Sequence, residues 1–148
     1  MLSQSLTAIF VRDLTKLKEE LNLYSHELDV WKMDGIISNS AGTLALHLIG
    51  NLSYFVGAVI GKTGYIRHRE MEFTLRNIPR KKIIEDIDAV IEMLPIVLAS
   101  VTDDILKTDF PLKKHDETVT HEQMLIHLYG HLAYHLGQVN YHRRLLSK

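Results

Sequence analysis

The chain has 148 residues, the size of one compact domain. Its 17 Lys and Arg against 18 Asp and Glu leave a formal charge of -1, so there is no overall basic field to drive nucleic-acid binding by counterion release. Cysteine is absent, which excludes disulfide frameworks, thiolate nucleophiles and cysteine-ligated metal sites.

Apolar residues at 46% and charged residues at 24% make an ordinary globular composition, whereas 9 histidines stand out. The first residues lead into a charged amphipathic stretch rather than a basic and then apolar leader. The reading therefore expects no secretory signal and a cytoplasmic protein.

Apolar residues recur at helical spacing along nearly the whole chain. Leu6, Ile9, Phe10, Leu14, Leu17 and Leu21 follow i, i+3, i+4 steps opposite a face of Arg12, Asp13, Lys16, Glu19 and Glu20. This pattern predicts a first helix over residues 3–27. After Trp31 and Gly35, any of Ser38, Asn39 and Ser40 can cap a second helix over 41–60. Its stripe is Leu44, His47, Leu48, Asn51, Phe55 and Val59, so a histidine and an asparagine occupy core positions.

Residues 35–61 carry no Asp, Glu, Lys or Arg. The polar residues His47, Asn51 and Ser53 nevertheless suit a helix buried in a bundle better than a membrane span. Gly50, Gly57 and Gly61 on this helix, with Gly130 and Gly137 later, suggest close helix contacts.

A charged connection follows, ending near Pro79, which suits the first turn of a third helix. Ile83, Ile84, Ile87, Ile91, Leu94 and Leu98 form that helix's stripe, with a kink expected at Pro95. Residues 107–118 read as a polar loop. Thr120 with Gln123 fits a capping box, and Val119 with Met124 a hydrophobic staple, at the start of a fourth helix reaching about Leu145.

The fourth helix carries the chemical signal. At about 100° per residue, His127, His131, His135, Gln138 and His142 project within one arc of about 80°. Histidines at i and i+4 lie one turn apart, so His131 and His135 can ligate one ion. Between them stand Leu132, Ala133 and Tyr134, without the glutamate of the H-E-x-x-H proteases.

His47 is the natural third ligand, since a core imidazole needs hydrogen-bond partners or a metal. The alternative is that each is an ordinary hydrogen-bonded histidine. His127 and His142 read as extra ligands, supporting partners or rim residues, and Gln138 as a hydrogen-bond partner of a ligand imidazole. His26, His68, His115 and His121 read as solvated. Asn51 and Tyr134 are pocket candidates by helical projection, and no catalytic acid or base can be named.

His47 followed by Gly50-Asn51-Leu52, then His131-x-x-x-His135-Leu136-Gly137-Gln138, resembles the DinB/YfiT-like superfamily. The segment from Arg67 through Arg69, Glu70 and Glu72 to Phe73 adds to the likeness, which spans essentially the whole chain. The resemblance implies an all-α, up-down-down-up four-helix bundle over 1–148 as a single domain. It also implies homodimerisation and one divalent ion, nickel, zinc, iron or manganese, held by His47, His131 and His135.

Characterised relatives use such an ion to activate a small-molecule thiol. The leading expectation is therefore a metal-dependent enzyme acting on a small molecule by thiol transfer, with no nucleic-acid or membrane partner. Arg67, Arg69 or another basic side chain at the rim could then hold carboxylates of the cosubstrate, the sequence leaving open which. The alternatives are a non-catalytic metal- or ligand-binding bundle and a purely structural one.

Overall fold

Helix α1 spans Leu2–Asn22 and buries Leu6, Phe10, Leu14, Leu17 and Leu21 in the computed structural model, which describes residues 1–147. It stops five residues short of the expected end at 27. Arg80 donates from Nη1 to the carbonyls of Leu21 and Tyr24 at 3.0 and 2.9 Å. Those bonds satisfy carbonyls that a longer helix would have used. Residues 23–26 turn out of the helix, and a 3₁₀ turn, Glu27–Trp31, follows.

Helix α2, Ala41–Leu52, begins at Ser40, whose hydroxyl accepts the Thr43 N–H at 3.2 Å. It continues without a break as a π-helical stretch, Ser53–Ile60, closed by the Gly61 N–H on the Val56 carbonyl at 2.9 Å. The combined rod is apolar and long enough to cross a membrane, yet more than half of its apolar window is buried inside the protein.

The connection after it holds a short helix that periodicity does not reveal, α3, Arg69–Thr74. Helix α4, Arg80–Leu98, has Pro79 at its N-cap, one place before the expected first turn. One helix runs through Pro95 to Leu98, although proline there forgoes the N–H that would bond the Ile91 carbonyl. Helix α5 is the single turn Asp103–Leu106. Helix α6, His121–Leu146, starts with the expected capping box of Thr120 and Gln123, both bonds being made.

The four long helices share one core. Helix α1 packs on α4 and α6, and α2 packs on the same two. Arg12 meets Tyr129, Glu20 meets Asn140 and Arg143, and Tyr24 meets His142, so positions in α1 and α6 rise together. Lys18 meets Asp88 while Leu21 meets Arg80, so α1 and α4 are opposed. Along α2 and α4, Gly57 packs on Met93 and Gly61 on Val97.

The protein is all-helical, with no β-strand among the described residues beyond two isolated bridges. Gly130 and Gly137 meet nothing within 4 Å, so they form no close helix contact inside the chain.

Candidate metal centre

Helices α2 and α6 face each other at His47 and His131. The His47 Nε2 lies 3.0 Å from His131 Nε2, which lies 3.1 Å from His135 Nε2. One ligand atom from each ring falls within 4.8 Å of the others. The i, i+4 spacing on α6 and the core position on α2 thus bring three imidazoles to one point. Two nitrogens each about 2.0–2.1 Å from a zinc-sized ion, at right to tetrahedral angles, stand about 2.9–3.4 Å apart. The observed separations fall in that window.

The placement of protons leaves these nitrogens able to hold a cation. His47 directs Nδ1 at Glu72 Oε1, 3.0 Å away. An ionised carboxylate only accepts, so His47 Nδ1 carries the hydrogen and Nε2 presents a bare lone pair. His135 Nδ1 donates to Gln138 Oε1 at 2.7 Å, leaving its Nε2 bare by the same reasoning. His131 Nε2 holds at most one hydrogen between two facing lone pairs. With both outer rings neutral and protonated at Nδ1, at least one of the two contacts leaves facing lone pairs, a repulsion that a divalent ion would remove.

Glu72 is fixed from the other side. Arg67 donates to it from Nε and Nη2, both at 2.9 Å, a bidentate ion pair in which both partners are largely buried. Burial pushes the Glu72 carboxyl up, but the hydrogen bonds from Arg67 and His47 outweigh it and hold the group below its usual range. Glu72 therefore stays ionised and orients His47, the carboxylate–histidine arrangement common behind metal ligands.

Gly50 makes room for it: a Cβ there would stand 2.0 Å from Glu72 Oε2. Neither Glu72 nor this use of Gly50 is read from helical spacing. Arg67 is committed to Glu72, and Arg69 lies over the Phe73 ring at 5.0 Å.

Burial drives His131 down to about 3, helped by the charges of its neighbouring histidines and Arg67. Burial also lowers His135, against an opposing pull from the Gln138 hydrogen bond. Both rings are therefore neutral at physiological pH, the form that binds metal.

The other candidates separate. Asn51 is buried one turn beyond His47, and its Oδ1 has no hydrogen-bond partner among the described residues. His131 Nδ1 is in the same condition. His127 is exposed and stacks on His131 at 6.4 Å between ring centres. The exposed Tyr134 ring stands edge-on to His135 at 5.3 Å.

His142 leaves the cluster altogether. It is buried between the Tyr24 hydroxyl at 2.7 Å and the Lys32 carbonyl at 2.8 Å. It shares the arc, but seven residues of helix carry it about 10 Å beyond His135. His121 is half-buried and bonded to Thr108, not solvated as expected.

A family model described as "Protein of unknown function (DUF1572)" matches residues 8–148. The chain belongs to the DUF1572 family. The matched span contains the three histidines, Glu72, Arg67 and Gln138, so the whole centre of this DUF1572 protein lies within the family region. No curated protein matches the chain.

Proposed function

We propose that this DUF1572 protein is a metal-dependent enzyme of the DinB/YfiT-like kind, built on an up-down-down-up four-helix bundle, that activates a small-molecule thiol. The observation that carries the reading is the convergence of three Nε2 atoms, two of them bare, at separations of 3.0 and 3.1 Å. The opposed directions of α1 and α4, and the shared direction of α1 and α6, support the bundle order.

A divalent ion held there supplies Lewis acidity, lowering the pKa of a coordinated thiol or water toward neutrality. The chain's own residues do the rest. His47, His131 and His135 bind as neutral donors, so the full dipositive charge remains to attract an anionic ligand. Glu72 holds the His47 proton at Nδ1, and Gln138 holds that of His135. Helices α2 and α6 exclude water from the buried side. With cysteine absent, any thiol arrives as a cosubstrate.

Three protein ligands leave coordination positions open, the pattern of catalytic rather than structural sites. The nearest carboxylate, Glu72, faces the far nitrogen of His47 and does not close the shell. This favours catalysis over storage or scaffolding of an ion.

The test is turnover by zinc-, nickel- or manganese-loaded protein with low-molecular-weight thiols and electrophilic acceptors, measured against His47→Ala. Turnover above that background supports the reading, and none across the panel contradicts it. A homodimer belongs to the same proposal on the strength of the resemblance. A monomeric mass by light scattering at micromolar concentration would remove the dimer.

A further inference from the structure

A cleft of about 510 Å³ opens beside the centre, and His135 and Gln138 form part of its wall. Leu44, one turn before His47 on α2, forms another part. The volume lies within the range of small-molecule sites. Its walls contain no Asp, Glu, Lys or Arg. An ionised group seated there would lose water and gain no countercharge.

The mouth is apolar and strongly exposed: Ile36 at 102%, Leu145 at 68%, Tyr134 at 66% and Tyr141 at 63%. Singly exposed apolar side chains need no explanation, but four large ones around one concavity do. Lys32, four residues before Ile36, is held by Asp29 and the Leu146 carbonyl. Arg144 lies over the Tyr141 ring, 5.4 Å from its centre.

From these observations we infer that the cleft takes the uncharged, apolar body of a small molecule whose reactive end reaches the three-histidine centre. Ile36, Ile37, Leu44 and Leu145 cover an alkyl or aryl portion, and the tyrosine rings offer flat faces to it. Gln138 stands where the body ends and the metal-binding group begins. The proposal rests on the metal reading for the reactive end only. It narrows the substrate class, because a thiol or acceptor carrying several carboxylates has no countercharge in these walls.

The test uses hydroxamates as probes, because the headgroup binds zinc and the tail is varied. Acetohydroxamate, octanohydroxamate and the monohydroxamate of suberic acid are titrated calorimetrically into zinc-loaded protein, and 1-octanol into metal-free protein. Each fully buried CH₂ strengthens binding about fourfold, so even partial burial of the octanoyl tail gives about tenfold or more over acetohydroxamate. The tail ending in a carboxylate loses most of that gain.

Leu145→Asp, at a largely exposed position that the fold does not depend on, removes the gain and leaves acetohydroxamate binding unchanged. Octanol binding to metal-free protein falls in the same variant. Zinc uptake with equal affinity for all three tails overturns the cleft proposal and leaves the metal reading intact. Failure to take up zinc while octanol still binds, and loses affinity in Leu145→Asp, overturns the metal reading and upholds the cleft. Failure of octanol to bind the metal-free protein counts against the cleft in either case.

Discussion

Glu72 acts on the centre through His47 without reaching the ion's position. By holding the Nδ1 proton it fixes the ring's tautomer and raises the basicity of Nε2. Glu72→Gln keeps the volume but loses the charge, and supporting partners of this kind are worth about 10–100-fold in metal affinity. A competition titration against a chelator should read that loss.

Gly50→Ala should produce a loss in the same direction without touching any ligand, because its Cβ would occupy the place of Glu72 Oε2. The carboxylate can swing aside only by releasing both Arg67 and His47. An unchanged affinity in Gly50→Ala would show that Glu72 does not matter to the metal.

Acid should act on the same residues in two ways. From ordinary histidines, metal affinity is expected to fall as pH drops through about 6. Burial lowers His131 to about 3 and lowers His135 as well, so their nitrogens stay unprotonated below that point. Metal affinity, read by chelator competition at several pH values, should therefore fall less steeply below about pH 6 than three ordinary histidines would give.

Folding follows the opposite course in the metal-free protein. The unfolded chain takes up protons at these imidazoles below about pH 6.5 while the folded chain does not, so stability falls as pH falls from about 6.5 toward about 3. Melting temperatures from pH 7.5 to 5 should show this slope, flatter in His131→Gln. An equal slope in the variant would place the acid sensitivity elsewhere.

At the scale of elements, α6 sets the position of two ligands and α2 of the third. Thr120→Ala removes the capping box at the start of α6 and should cost about 1 kcal/mol of stability, visible as a lower midpoint in urea. His131 sits nearly three turns from that end, so metal affinity should hold once the protein is folded.

The long helices were legible because a 3.6-residue apolar period runs through each of α1, α2, α4 and α6. Helix α3 was not, since six residues rich in Arg and Glu carry no apolar stripe of their own. A glutamate in a charged connection looks the same in sequence whether solvated or pinned by an arginine. For that reason Glu72 was visible only inside the segment that carried the family resemblance. His142 misled in the opposite way: angular position on a helix was read correctly, but distance along the axis removed it from the cluster. The π-helical end of α2 also escaped notice, because its apolar spacing does not differ enough from an α-helix over eight residues.

At the scale of the whole molecule, the centre joins α2 to α6 across the core at residues 84 apart in sequence. An ion that binds only the folded chain stabilises it by mass action, by about 4 kcal/mol at a thousandfold excess over its dissociation constant. For a chain of this length that is roughly 10 °C in Tm. Adding chelator should reverse the shift, and His47→Ala should show none. A purely structural bundle would melt at the same temperature with and without the ion.

Elemental analysis of protein prepared without a histidine tag, loaded with zinc and then dialysed, addresses the centre most directly. Three converging imidazoles predict about one ion per chain in the wild type and near none in His131→Ala. A wild-type chain that emerges from dialysis without stoichiometric metal, or a His131→Ala variant that keeps it, would contradict the assignment.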